Sequence, residues 1–361
     1  MSGPNVEKIL MKGNEAIAEA ALRAGCVAYF GYPITPQNEL IAYMADKMPA
    51  MGRVFIQAES EVAAINMVFG AASTGARAMT SSSSPGISLK QEGVSYAAGA
   101  DLPLVYVNIM RGGPGLGSIA PAQGDYFQST RGGGHGDYHV LVLAPASVQE
   151  AADLTYLAFD LADTYRMPVL ILADGVIGQM MEPLVLPPMR DLASLPDNSS
   201  WAVGGMHKTG RKARHISSIN LVPAELEAMI VRRFAMYADI EKTETRFEAV
   251  SCDDADIVLV AYGTSARVSL GALALARKEG LRVGLFRPIT LWPFPEAELA
   301  RIASRGVPLL AVEMSMGQMV QDVRLAVRDA VPVHLLSRTG GVVPSEEDVF
   351  AECKKILGGA K

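Results

Sequence analysis

Three side chains in this sequence have the type and the setting for ligand chemistry. Glu61 opens the run EVAAINMVFGAASTGA, an apolar, small-residue stretch with the character of a helix. A carboxylate at a helix start gains from the helix dipole, and Ser60 before it suits an N-cap, which is one sufficient reason for the acid. The other is a buried carboxylate that hydrogen-bonds a ligand nitrogen. Arg111 follows the strand-like LVYVNIM directly. Its guanidinium fork matches a carboxylate or a phosphate, and the carboxyl end of a parallel strand is where open α/β sheets bind ligands; an ordinary surface ion pair is the alternative. Thr35 sits in FGYPITPQNEL, between Pro33 and Pro36, so the backbone from Tyr32 to Thr35 has little freedom. Such a turn holds a hydroxyl still. The run SSSS at 81–84, followed by Pro85-Gly86, reads as a loop whose hydroxyls (Ser84) and amides (Gly86) bind something polar.

Other chemistries find little support. RGGPGLGSIA at 111–120 places Gly115, Gly117 and Ala120 at the spacing of a dinucleotide fingerprint, with Asp137 downstream. That fingerprint works by opening a helix toward a pyrophosphate, and here Pro121 follows with no helical period. There is no Walker loop and no G-x-S-x-G elbow. His135 and His139 are four apart, but the surrounding glycines argue for a loop or interface role rather than a metal site. Cys26, Cys252 and Cys353 form no CxxC pair, so a zinc or iron–sulfur site is not expected from this chain alone. A net charge of −6 argues against nucleic acid or an anionic membrane as partner. No apolar run has the length to cross a bilayer and no secretory signal is evident, so a cytoplasmic location is expected.

The elements that must position these residues alternate. GNEAIAEAALRA (13–24) reads as a helix and 27–30 as a short buried strand. Strands follow at 54–57, 104–110, 140–143 and 169–174, with helices over 61–76 and 148–165. Strands and helices alternating at this spacing predict an α/β fold with a parallel sheet covered on both faces. From 182 to 246 prolines, the Asp197–Ser200 run and the basic HKTGRKARH (207–215) suggest a surface connection, broken by a helix over 224–239. A second α/β unit follows, with strands at 256–262, 283–287, 309–312 and 333–336 and helices at 266–279 and 317–330. At 361 residues the chain has room for two such domains, here placed at 1–190 and 251–361 with 191–250 as linker.

Taken together, YPITP (32–36), ESEVAAINMVFGAASTGARAMTSSSSPGISL (59–89), NIMRGGPGLG (108–117) and GDYFQSTRGGGHGDY (124–138) resemble the alpha subunit of 2-oxoacid:ferredoxin oxidoreductases, in particular the 2-oxoisovalerate and 2-oxoglutarate types. DIVLVAYGTSAR (256–267) and RPITLWPFPEAEL (287–299) are similar to that family's second domain, which has a transketolase C-terminal fold. The resemblance implies thiamine diphosphate chemistry: oxidative decarboxylation of a 2-oxoacid with coenzyme A to an acyl-CoA, with electrons leaving through iron–sulfur clusters to ferredoxin. It makes the first domain the pyrimidine-binding half of the thiamine site. The matching glutamate, Glu61 (with Glu59 as fallback), hydrogen-bonds the aminopyrimidine and favours the tautomer that removes the thiazolium proton. Thr35, within the motif that also holds Tyr32, and Arg111 match the residues that contact the substrate's carboxylate end; Ser84 and Gly86 belong to the segment placed beside the cofactor.

One part of the thiamine pattern is missing. The Gly-Asp-Gly segment and later Asn that hold Mg²⁺ in such enzymes have only Ala173-Asp174-Gly175 as a counterpart, with no suitable Asn after it. Mg²⁺, the diphosphate and the [4Fe-4S] clusters are therefore expected on partners: a thiamine-diphosphate-binding beta subunit, a gamma subunit and a ferredoxin-like cluster subunit. The isolated chain is expected to be inactive. A component of a non-redox thiamine enzyme, and a non-catalytic scaffold subunit in which Glu61 is only a helix-start acid, are the alternatives.

Overall fold

The computed structural model describes residues 8–204, 210 and 212–358. Its first half contains strands β1 (Ile9–Lys12), β2 (Ala28–Gly31), β3 (Val54–Gln57), β4 (Ala78–Ser82), β5 (Leu104–Met110), β6 (Leu141–Leu143), β7 (Pro168–Asp174) and β8 (Met181–Leu184). Between them run helices α1 (Gly13–Arg23), α2 (Asn38–Ala50), α3 (Glu61–Ser73), α4 (Ser84–Gly99), α5 (Tyr126–Thr130), α6 (Val148–Tyr165) and α7 (Gly175–Gln179). The second half contributes α8 (Pro223–Thr243), β9 (Phe247–Val250), β10 (Ile257–Val260), α9 (Gly263–Lys278), β11 (Val283–Pro288), β12 (Thr290–Trp292), α10 (Glu296–Ala303), β13 (Leu309–Glu313), α11 (Met319–Val327), β14 (Val333–Ser337) and α12 (Glu346–Gly358).

The first sheet has the order β12-β6-β7-β5-β4-β2-β3, parallel except for β12, which runs antiparallel to β6. Every residue of β5 and of β7 is buried, as expected for central strands with helices on both faces. The second sheet has the order β14-β13-β10-β11-β9, with β9 the antiparallel edge. β1 and β8 form a separate antiparallel pair. The two-sheet α/β class and most strand positions agree with the sequence; β3, β5 and α6 have the expected ends.

One difference matters for the site. The serine run is not a loop: Ser81 and Ser82 end β4, Ser83 is the N-cap position and Ser84 begins α4. Helix α4 carries no amphipathic signal because polarity and burial are uncoupled along it. Lys90, Gln91 and Ser95 are buried while Leu89 and Tyr96 are exposed. The helix expected over 224–239 is present as the 21-residue α8, whose Arg233 is buried against Asp101 at 2.7 Å. Within the basic patch at 207–215, residues 207–209 and 211 lie outside the described ones, and Arg214 donates to Ala202 O at 3.1 Å.

The halves interlock through polar clamps. Asp174, fully buried at the end of β7, accepts hydrogen bonds from Val176 N and Ile177 N of α7 and from Thr264 N (2.9 Å) and Thr264 Oγ1 (2.6 Å) at the start of α9. Gln123 bonds Tyr262 O, Ser265 Oγ and Met314 N. His139 stacks on Trp292 of β12 with ring centroids 4.5 Å apart, so it serves the interface, as its loop position suggested. Asp174→Ala removes the acceptor for four buried donors. It is expected to lower unfolding free energy by roughly 3 kcal/mol, read from urea denaturation.

Candidate active site

Four parallel strands bring the candidate residues to one edge. Thr35 lies just beyond the carboxyl end of β2, Glu61 beyond β3, Ser84 beyond β4 and Arg111 beyond β5, and these strands are neighbours in the order β5-β4-β2-β3. Ligand crevices of open α/β sheets form at this edge.

The proline turn is held from three sides. Asn14 Nδ2 (2.8 Å) and Gln179 Nε2 (2.7 Å) both donate to Pro36 O, and Gln37 Nε2 donates to Tyr32 O at 3.3 Å. Gln37 Oε1 in turn accepts from Ser81 Oγ, which also meets the Tyr29 hydroxyl at 2.6 Å. Apart from Ser81 of the serine run, these supporting residues did not stand out in the sequence, because they lie on different elements. Thr35 Oγ1 accepts from Asn38 Nδ2 at 3.1 Å, which leaves its own proton free to donate to a ligand. Tyr32 is exposed beside it.

Arg111 joins this turn directly. Its Nη1 donates to Thr35 O and its Nη2 to Leu116 O, each at 2.9 Å, while Nε is buried without a partner. The glycine-rich loop that supplies Leu116 folds back on itself, with Gly112 N bonded to Ala120 O and Ser118 N to Gly112 O. Gly117, at φ +57°, is packed so tightly on the Gly112 carbonyl that a Cβ has no room. The loop therefore aims the arginine and opens no helix toward a pyrophosphate. Ser84 links Arg111 to α4: Arg111 N donates to Ser84 Oγ at 3.0 Å, and Ser84 Oγ donates to Asp125 Oδ2 at 2.5 Å. Asn108 also donates to Asp125, whose burial raises its pKa above the usual carboxylate range.

Glu61 is the first residue of α3 and is buried. Ser60 already performs the capping, accepting from Ala63 N at 3.1 Å. Among the described residues, no hydrogen bond reaches the Glu61 carboxylate. A Cβ on Gly86 would run into both Glu61 Oε1 and Ser82 Oγ, so the carboxylate rests against bare helix backbone. Ser82 Oγ and Ser83 Oγ are buried without partners close by in the chain. Glu59, by contrast, is exposed. Asp174 is spent on its backbone and threonine bonds and offers no open face to a metal. A cavity of about 1040 Å³ lined by Arg131, His139 and Trp292 includes none of Thr35, Glu61 or Arg111.

Both halves of the chain match known proteins. Residues 19–245 match the pyruvate flavodoxin/ferredoxin oxidoreductase thiamine-diphosphate-binding domain, and residues 255–349 match the pyruvate:ferredoxin oxidoreductase core domain II. The ketoisovalerate oxidoreductase subunit VorB of Methanothermobacter thermautotrophicus is 51% identical, over 97% of this chain and 98% of that protein. The chain belongs to the 2-oxoacid:ferredoxin oxidoreductase family. The 2-oxoglutarate synthase subunit KorA of the same organism is 35% identical over 95% of this chain and 97% of its own length. Among solved structures, the 2-oxoglutarate:ferredoxin oxidoreductase of Magnetococcus marinus, with 2-oxoglutarate, coenzyme A and succinyl-CoA bound, superposes with a TM-score of 0.86 at 25% identity. That match covers 98% of this chain and 66% of the longer solved chain. The relatives are subunits, so an oxidoreductase chain of this family works with partner chains.

The family's thiamine-diphosphate-binding domain contains the Glu61–Gly86 contact. Replacing Gly86 by Ala favours the helix slightly but displaces the Glu61 carboxylate. Gly86→Ala is expected to keep the thermal midpoint within a few degrees by circular dichroism. The assembled enzyme should lose turnover about a hundredfold, the scale of a misplaced catalytic group.

Proposed function

We propose that this chain is the alpha subunit of a thiamine-diphosphate-dependent 2-oxoacid:ferredoxin oxidoreductase and supplies the pyrimidine half of its site. The observation that carries the proposal is Glu61, a buried residue at the carboxyl edge of the sheet whose carboxylate no donor of the described chain satisfies. Its acceptor capacity is therefore left for a ligand donor. A ring nitrogen of the aminopyrimidine is such a ligand, and the orphaned Ser82 hydroxyl, which faces Gly86 beside the carboxylate, extends the same polar cradle.

The chemistry that bound thiamine diphosphate supplies is a nucleophilic carbon that adds to a 2-oxoacid carbonyl and accommodates the electron pair released with CO₂. Glu61 holds the pyrimidine edge and exchanges a proton with it at a carboxylate oxygen. Thr35 donates its hydroxyl proton to the substrate carboxylate, and the Arg111 N–H groups not spent on Thr35 O and Leu116 O add charge-assisted bonds. Tyr32, Ser84 and Gly86 complete the wall. Asp174 being committed to the α7 and α9 backbone supports placing Mg²⁺ and the diphosphate on a beta subunit.

Clusters belong on a gamma subunit and a ferredoxin-like subunit, with coenzyme A as acyl acceptor. The two-domain division at 190 and 251 belongs to the same proposal. A cytoplasmic location fits three buried free cysteines, and among the described residues no helix is long and apolar enough to cross a membrane. Identity of 51% to a ketoisovalerate oxidoreductase subunit, against 35% to a 2-oxoglutarate synthase subunit, supports 2-oxoisovalerate as the preferred substrate.

The scaffold alternative loses its motive, since Ser60 already caps the helix that Glu61 would otherwise be needed to stabilise. Glu61→Gln keeps shape and burial, so the complex should assemble while turnover falls roughly 10²- to 10⁴-fold. Unchanged turnover would return the chain to a scaffold role. Turnover over pyruvate, 2-oxoisovalerate and 2-oxoglutarate by the purified complex is expected to be highest with 2-oxoisovalerate.

A further inference from the structure

Helix α4 presents Gly86 and Lys90 one turn apart on the same face. Gly86 touches the Glu61 carboxylate, and Lys90 lies below it with no exposed surface. A helical side chain leans toward the helix N-terminus, which directs Lys90 back along α4 toward Gly86. Its one hydrogen bond among the described residues is from Nζ to Thr80 Oγ1 at 2.8 Å. Thr80 and Ser82 alternate along β4 and so share the face that α4 covers. Thr80, Ser82 and Lys90 thus form a closed polar seam beneath Glu61, in the middle of the first domain.

A lysine placed there is costly unless something compensates it, because one neutral hydroxyl leaves most of an ammonium's donors unmatched. Burial pulls the Lys90 pKa down to about 7, and the negative charge of Glu61 opposes that fall. Among the described residues, no other charged group has a resolved effect on it. Tyr106, on the same side of β5 as Asn108, is a phenol that burial keeps protonated. Full burial also prevents Lys90 from touching a substrate.

We propose that Lys90 is a positioning residue for Glu61: its ammonium, buried beneath the carboxylate, draws that group against Gly86 where no hydrogen bond from the described chain does so. The consequence for cofactor binding rests on the thiamine reading above, whereas the pairing of the two charges does not.

The test measures urea unfolding of the full chain from about pH 5 to about pH 10, for wild type, Lys90→Met, Glu61→Gln and the double variant. An unfolded lysine keeps its proton to about pH 10.5, but folded Lys90 releases it near neutrality. The unfolded state then binds more protons, so wild-type stability should rise with pH above about 7 relative to Lys90→Met. With Gln at 61 the onset of that rise should move about one unit lower, because the opposing charge is gone. An onset unmoved by Glu61→Gln overturns the proposal, as does a pH-independent difference between wild type and Lys90→Met. Should Lys90→Met not fold, Lys90→Gln serves in its place.

In the assembled enzyme, Lys90→Met should lower turnover at least about tenfold when Glu61 is present and have no further effect in the Glu61→Gln background. Additive losses overturn the positioning role. A coupled titration alongside normal turnover of Glu61→Gln would uphold the charge pair and remove the thiamine reading, so the two failures are distinguishable.

Discussion

A carboxylate with no donor from the described chain, on a buried residue at an open sheet edge, imposes a condition on everything around it. Glu61 meets that condition through place rather than through bonds. It begins α3 where backbone amides point outward, Ser60 relieves it of capping, and Gly86 lets it lie against a neighbouring helix where any side chain would intrude. The parallel sheet is the means by which the condition is met repeatedly. Successive strands end at one edge, so residues separated by dozens of positions arrive side by side.

The same edge shows how a half-site is made rigid. Thr35 and Arg111 are fixed by bonds to main-chain carbonyls, Arg111 to Thr35 and Leu116, and the proline turn by Asn14 and Gln179 from elements on its other side. Each functional polar atom that remains available therefore points from a preorganised frame. Asp174 illustrates the opposite fate. A residue that resembles part of a metal-binding segment is drawn inward to fasten β7 to α9, and the second domain is held by it. One carboxylate is left without a partner from the described chain and one is fully consumed, a difference that residue type does not show.

This division fits a family whose members are subunits. A chain that spends its acid on holding two domains together, and leaves another acid unpartnered at an open edge, is complete as a fold and incomplete as a catalyst. The interlocking of β12 into the first sheet keeps the second domain from being a separable appendage. The edge that carries Glu61, Thr35 and Arg111 is thus presented on a single interlocked body.

Much was legible in the amino-acid order itself. Alternating strand and helix patterns gave the α/β class, because burial on both faces of a parallel sheet demands continuous apolar strands such as 104–110 and 169–174. Pro33 and Pro36 announced a stiff turn through local sterics alone, and the combined motifs announced the family. What the order left open depends on through-space neighbours. Which residue caps α3, and whether any donor of the described chain approaches Glu61, only packing decides. Helix α4 escaped detection because it buries Lys90, Gln91 and Ser95 while exposing Leu89 and Tyr96, the reverse of the pattern on which periodicity relies. Local sequence fixes backbone preferences, which act over a few residues. The pairing of charges and the accounting of hydrogen bonds act across the fold, and they became definite only when β2, β3, β4 and β5 were laid side by side.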